Sequence, residues 1–502
     1  MKIAVILAAG IGTRLHPLTF DKPKCMITVA GQPILEHQLR AYEKAGFGKV
    51  YVIGGFRADA IKAWLATRSG TLAIELIENR EFDVTNNMFS LFLLRDKMQG
   101  RPFFLSNGDV VFDSAALNLF KDTDADGSAI FIDKSIFNEE SMKIVVDASD
   151  HVRGISKRYT KSEAFAVSID LYRFSADGSQ RLFQEMDRII VQKGERNQWT
   201  EVALDHVLQA GGYDFRPIDL GGLPWVEVDN MADLAQADLL FCPQRPQIAK
   251  AKIFVFDIDG TLSIDGNFLP HSIDIVKRLQ KERKVFFCSN NSSRSRQEYA
   301  GLLQSKDIFC RSEDVISSVG ATISFLRNHR IQSIFLLGTP SLKGELEAAG
   351  FRCSAKNPEM VVVGFDKTLT YEAAAEATSL IARGCPYILT HPDPACPTTS
   401  GPVPDAGAIG AMLQTATGID PLAILGKPSP AMLQPLFDKL GLAKDQAVMI
   451  GDRLTTDIHM ANRVGCLSVL VLSGITSRLE AEQSPIKPSL LIDHVGKLSD
   501  II

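Results

Sequence analysis

Two carboxylates stand two positions apart where an apolar run ends: Asp257 and Asp259, in Asp257-Ile258-Asp259-Gly260-Thr261. Strand alternation points both to one side, where they repel each other unless a cation such as Mg²⁺ shares their charge. Unneutralised at the end of a buried strand, the pair would be costly. Companions follow in chain order: Ser289 closes the next apolar run, Lys427 lies in Gly426-Lys427-Pro428, and Asp452 and Asp457 lie in Gly451-Asp452-Arg453-Leu454-Thr455-Thr456-Asp457. A second set opens the chain. Leu7-Ala8-Ala9-Gly10-Ile11-Gly12-Thr13-Arg14 follows an apolar start, and Lys24 comes ten residues after Arg14. Small residues let backbone N–H groups approach a polyphosphate, and Arg14 adds a charge-assisted fork. The spacing is neither that of a P-loop nor of a GxGxxG turn, since Leu15 stands where the third glycine belongs.

Short apolar runs must position these groups. They are Lys2–Leu7, Val50–Ile53 and Phe103–Leu105 in the first half. In the second they are Lys252–Phe256, Val285–Cys288, Ser333–Leu337, Met360–Val363, Tyr387–Leu389, Ala447–Ile450 and Ser468–Val471. Continuous apolar runs separated by helical stretches predict an α/β chain with sheets covered on both faces. The segment 241–250, with two prolines and no periodicity, reads as a short, semi-stiff linker.

Length sets the frame: 502 residues exceed one ordinary core. Lys and Arg total 54 against 59 Asp and Glu, a formal charge of −5, which excludes a general nucleic-acid binder. Eight scattered cysteines without a CxxC pair read as reduced thiols. The apolar start is too short to span a bilayer and lacks a signal-peptide pattern, so a cytoplasmic protein acting on small molecules is expected. Oligomerisation is left open.

The opening string, with Lys22-Pro23-Lys24, resembles the nucleotidyltransferases that activate sugar phosphates and small phospho-alcohols. The resemblance covers residues 1–240 and implies a Rossmann-like domain with a mixed sheet. It implies that Leu7, Ala8, Ala9, Gly10, Gly12, Thr13, Arg14, Lys24 and Asn87 hold the nucleotide. It also implies that Asp109, in Asn107-Gly108-Asp109, and Asp229, in Glu227-Val228-Asp229, hold Mg²⁺. Read alone, the first is an Asn-Gly turn and the second a helix cap. Asn86-Asn87-Met88-Phe89-Ser90-Leu91, Lys157 and Trp199-Thr200-Glu201 resemble the phosphocholine cytidylyltransferase branch, implying CTP as donor and a phosphorylated small alcohol or a phosphonate as acceptor. Phe89, Trp199 and Trp225 are candidates for an aromatic cage around an ammonium group.

The string Asp257–Thr261 with its companions resembles the haloacid dehalogenase superfamily of phosphatases. The resemblance implies Asp257 as nucleophile, Asp259 as acid and base, Ser289 and Lys427 on the phosphoryl oxygens, and Mg²⁺ on Asp257, the Asp259 carbonyl and Asp452. Asp457 is a further ligand or a support. Residues 251–330 and 422–502 would form the Rossmannoid core and 331–421 an inserted α/β cap. The cap strings Val361–Asp366, Thr390-His391-Pro392-Asp393 and Pro404–Ile409 resemble the 4-nitrophenylphosphatase and phosphoglycolate phosphatase branch. That branch usually has Asn where this chain has His391, which is either a substrate-facing change or a loop residue before a proline. Together the halves predict a bifunctional enzyme, a cytidylyltransferase fused to a phosphatase. The rivals are a sugar-phosphate transferase using UTP or dTTP, and a chain with only one active domain.

Overall fold

The computed structural model describes the chain except residues 121–126, 212, 265, 354–355, 397 and 399. It divides into two compact units, Met1–Phe241 and Cys242–Ile502.

The first unit is built on a nine-stranded mixed sheet. Ile3–Ala8 lies at its centre, parallel to Lys49–Gly54 on one side and to Phe103–Asn107 on the other. Residues 4–6 are fully buried, and their side chains alternate between two cores. Val5 and Leu7 pack on one face with Leu105, while Ala4 and Ile6 pack on the other with Phe104. Burial on both faces explains the unbroken apolar run. Beyond Phe103–Asn107 the sheet turns antiparallel through Ala166–Phe174. Val110–Phe112 and Trp225–Glu227, distant in sequence, form a separate two-stranded antiparallel sheet.

In the second unit, six parallel strands run in the order Val315–Ser317, Lys284–Ser289, Ile253–Asp257, Ala447–Gly451, Leu467–Val471 and Leu490–Ile492. A separate five-stranded parallel sheet carries Ser333–Leu337, Met360–Val363 and Tyr387–Leu389. It extends to Ala423–Ile424, and the helix Ser318–Asn328 packs into its core through Val319, Ile323 and Leu326. The sheet's last strand thus lies beyond 421, the expected limit of the inserted cap. A two-residue strand ending in the exposed Ile424 carries no periodic signal.

The expected linker is also corrected. Phe241 ends the helix Met231–Phe241, and Arg245–Lys250 is itself helical, with Pro246 in its first turn and Ile248 fully buried. Proline suits a helix start, where its missing N–H costs nothing. The segment is anchored to the second unit: Cys242 Sγ lies 3.3 Å from the Ser489 carbonyl, and Arg245 donates to the Asp500 carbonyl at 3.0 Å.

Candidate active sites

The first site forms where adjacent parallel strands end. Leu7 pairs in register with Asn107, so the turn at Ala8–Gly10 lies beside Asp109. Val228 N–H donates to the Asp109 carbonyl at 2.9 Å, which brings Asp229 to the same place. Lys24 bridges both carboxylates, at 2.7 Å from Asp109 Oδ2 and 2.6 Å from Asp229 Oδ1. Arg14 pairs with Asp229 at 2.9 Å and with Glu140 at 3.3 Å. A cavity of about 360 Å³ opens above them. Leu7, Ala8, Ala9, Gly10, Arg14, Lys24, Asn87, Asp109 and Asp229 all line it. Gly12 and Thr13 do not. Gly12 instead adopts φ +73°, and a Cβ there would lie 3.0 Å from the Lys24 Cβ and Cγ. Its glycine lets the Lys24 stem pass.

Asn86 caps the helix Asn87–Phe92, and Asn87 Oδ1 accepts from the Thr200 N–H at 2.7 Å. Lys157 and Trp199 line the cavity, the ammonium lying 5.0 Å from the ring centroid. Phe89 and Trp225 do not line it: Arg196 stacks on Phe89, and Trp225 donates to Asp133 at 2.8 Å.

Two carboxylates enter that no motif marked as site residues. Glu227 lies with Asp109 and Asp229 in a cluster able to hold a metal ion. Burial and the nearby Asp170, Asp109 and Asp229 push its carboxyl up to about 9. Asp170 sits inside the strand Ala166–Phe174 at φ +56°, where the register shifts between Ser168 and Tyr172. Such an irregularity re-aims a side chain. Asp170 accepts from Tyr172 and Asn107, and burial followed by Glu201 raises it to about 7. Its signal in the sequence is a lone carboxylate in an otherwise buried strand. Burial alone would lower Lys24, but Asp109 and Asp229 hold its ammonium charged. Asp109 Oδ1 is buried without a hydrogen-bond partner, and this orphaned oxygen fits a cation held between the carboxylates.

The second site is tighter. Asp257, Ser289 and Asp452 meet at the carboxyl ends of three neighbouring parallel strands, where such sheets place their ligands. Lys427 bridges Asp257 and Asp457, the latter at 2.7 Å, and all three are buried. Asp452 accepts from the Ile475 N–H at 2.9 Å. Gly260 adopts φ +101°, and a Cβ on it would meet Asp452 Oδ2 at 2.5 Å. Asp257, Asp452 and Asp457 form the second cluster able to hold a metal ion, and Asp257 Oδ2 is buried without a partner. Burial raises the Asp257 carboxyl, with Lys427 opposing and the other carboxylates adding. Burial and Asp457 raise Asp452 to about 6. Burial would lower Lys427, but Asp257 and Asp457 outweigh it and raise its ammonium.

Asp259 points its carboxylate elsewhere. It accepts from the Tyr299 hydroxyl at 2.6 Å and from Ser289 Oγ at 3.1 Å. Tyr299, from the helix Arg296–Gln304, belongs to no motif. Asn290 donates to Asp393 Oδ2 at 2.9 Å and to the Lys427 carbonyl at 3.1 Å. Arg453 pairs with Asp393 at 3.2 Å. His391 is fully buried, between Thr390 Oγ1 at 2.9 Å and Asp405 Oδ1 at 2.8 Å. It does not line the cavity of about 30 Å³ over Asp257, whereas Asp405 does.

These two centres correspond to known families. Residues 3–155 match the nucleotidyl transferase family, residues 254–352 the haloacid dehalogenase-like hydrolases, and residues 424–498 a further hydrolase model of that type. A dihydroxyacetone phosphatase of Corynebacterium glutamicum is 31% identical over 249 residues, which is 49% of this chain and 90% of the relative. A 5′-nucleotidase of Bacillus subtilis is 31% identical over 247 residues, 49% of this chain and 96% of its own. Among solved structures, a 4-nitrophenylphosphatase of Thermotoga maritima is 38% identical, covering 51% of this chain and 98% of its own, with a TM-score of 0.48. The chain belongs to the haloacid dehalogenase-like hydrolases through its second unit and carries a nucleotidyl transferase domain in its first. It is a nucleotidyltransferase and a phosphatase in one polypeptide. Among the described residues, no helix is long and apolar enough to cross a membrane.

Proposed function

We propose that the first unit transfers the cytidylyl group of CTP to the phosphate or phosphonate of a small alcohol, releasing pyrophosphate. An acceptor oxygen forms a bond to the α-phosphorus as the bond to the pyrophosphate leaving group breaks. Asp109 and Asp229, with Glu227 beside them, would hold Mg²⁺, which supplies charge neutralisation on the phosphate oxygens. Lys24 and Arg14 stabilise the equatorial negative charge, and the Ala8–Gly10 backbone makes room for the triphosphate. Support for CTP comes from Asn87 of the cytidylyl-type segment, which lines the cavity and whose side chain accepts from the Thr200 N–H.

The second unit is read as a phosphomonoesterase working through an aspartyl-phosphate. Asp257 attacks phosphorus and the ester P–O bond breaks. The Asp259 carboxyl gives its proton to the departing alkoxide. Water then attacks the same phosphorus, Asp259 takes back a proton, and Asp257 is released with inorganic phosphate. Lys427 fixes the Asp257 carboxylate, and Ser289 turns from Asp259 to a phosphoryl oxygen when substrate enters. Asp257, the Asp259 carbonyl and Asp452 would hold Mg²⁺, with Asp457 a ligand or a support to Lys427.

The observation that carries both readings is the pair of lysine-bridged carboxylate clusters, each with an unpartnered buried oxygen. The test incubates the protein with Mg²⁺, each nucleoside triphosphate and a panel of phosphorylated alcohols, phosphonates and hexose 1-phosphates, following pyrophosphate and phosphate separately. CTP is expected to be preferred. A preference for UTP or dTTP with a hexose 1-phosphate would replace the cytidylyl reading.

A further inference from the structure

Beside the phosphatase cavity lies a second one of about 30 Å³, which shares Asp259, Asn291 and Cys396 with the first. Its remaining walls include Ser263, Arg294 and Lys367. Three features of these residues point to a ligand. Ser263 is fully buried, yet its hydroxyl has no hydrogen-bond partner. The guanidinium of Arg294 lies 5.9 Å from the Tyr299 ring centroid, and the Lys367 ammonium lies 5.0 Å from the Phe365 ring centroid. Among the described residues neither cation pairs with a carboxylate, whereas nearby Arg453 and Arg296 both do. The one carboxylate among the described walls is Asp259, already engaged by Tyr299 and Ser289.

Building on the phosphatase reading above, we infer that the second unit takes substrates carrying a second compact anion next to the phosphoryl group, and that Arg294, Lys367 and Ser263 bind it. The phosphoryl group sits over Asp257, and the second anion extends past Asn291 into the adjoining cavity. Two cations and a free hydroxyl are the donor set such an anion requires, and a neutral hydroxyl leaves the cations unused. A carboxylate and a second phosphate share this chemistry. The latter includes pyrophosphate, the product expected from the first unit, whose hydrolysis would pull transfer forward.

The test measures kcat and KM of the full chain with 2-phosphoglycolate, pyrophosphate and dihydroxyacetone phosphate, with 4-nitrophenyl phosphate as a reporter of the phosphatase itself. We expect kcat/KM for at least one doubly anionic substrate to exceed that for dihydroxyacetone phosphate by about tenfold or more. Which of the two anions wins separates a carboxylated monoester from pyrophosphate. In Arg294→Gln and in Lys367→Gln that ratio should fall by about tenfold, chiefly through KM, while Arg294→Lys should keep most of it. A wild-type preference for dihydroxyacetone phosphate, or an equal fall for all substrates in the variants, would overturn the inference. Failure to turn over any of the four, 4-nitrophenyl phosphate included, would overturn the phosphatase reading and this inference with it.

Discussion

The two units solve one electrostatic problem in opposite surroundings. In each, a lysine bridges two aspartates: Lys24 between Asp109 and Asp229, and Lys427 between Asp257 and Asp457. The Lys24 trio keeps 12–23% of its side-chain surface exposed under a cavity of about 360 Å³, while the Lys427 trio keeps 1–5% under about 30 Å³. The difference follows the chemistry. A transfer between two bound substrates needs room for both and no protein nucleophile, so its charges can stay partly wet. On the proposed reading, a covalent phosphatase needs a desolvated carboxylate pressed against one phosphoryl group, which accounts for buried charges set beside neutralising neighbours.

The largest effects should come from removing the nucleophile on one side only. Asp257→Asn should abolish phosphate release and give no burst with 4-nitrophenyl phosphate. Asp259→Asn keeps the nucleophile and loses the acid–base step, worth about 10²–10⁴-fold. It should release one equivalent of nitrophenol in a burst and then stall. Robust turnover by Asp257→Asn would break the covalent half of the comparison.

Independence of the two centres is the next point to strain. Asp109→Ala and Asp229→Ala should each remove nucleotidyl transfer, measured as pyrophosphate, and leave phosphate release from 4-nitrophenyl phosphate within about twofold of wild type. Full transfer by either variant would mean that the metal cluster of the first unit is wrongly drawn.

How much of this was legible follows from what makes a signal local. The strands Ile3–Ala8 and Ile253–Asp257 are buried on both faces, so their sequences are uninterrupted and the polar groups that follow stand out. Ala166–Phe174 is just as buried, but Asp170 and Arg173 interrupt it, and the bulge that re-aims Asp170 leaves no pattern. Ala73–Glu78 is half-exposed at the sheet edge, so it does not read as a buried run. Tyr299 meets Asp259 across a separation of 40 residues through tertiary packing alone. Pro243 and Pro246 read as a linker because a proline marks both a loop and a helix start. The pair Asp257 and Asp259 stands out because its spacing is local; the partners of these carboxylates do not, because partnership is three-dimensional.

Burial should also set the stability cost of losing each lysine. With metal chelated, Lys427→Met leaves Asp257 and Asp457 buried without a cation, and unfolding of the second unit should become easier by about 3–5 kcal/mol. Lys24→Met should cost the first unit less, because water reaches its partners. Equal losses in denaturant titrations followed by circular dichroism would remove burial as the distinguishing variable.

The smallest effect concerns Glu227, whose raised carboxyl should make the wetter site sensitive to pH. Unfolded, its carboxyl releases its proton near 4.5; folded, burial and its acidic neighbours hold it to about 9. Between those values the native state binds more protons than the unfolded state, so metal-free stability falls as pH rises. Asp170, raised to about 7, adds to the fall only below that pH, which leaves the interval from 7 to 9 chiefly to Glu227. All three tryptophans, Trp64, Trp199 and Trp225, lie in the first unit, so their fluorescence follows its unfolding alone. In chelator, the wild-type midpoint should drop by a few degrees from pH 7 to pH 9, and Mg²⁺ should recover more at pH 9 than at pH 7. Glu227→Gln, which keeps the shape without the ionisable proton, should flatten the slope and unfold later than wild type at pH 9. An unchanged slope in Glu227→Gln would show that another group carries the titration, and that the open cavity does not concentrate charge at this residue.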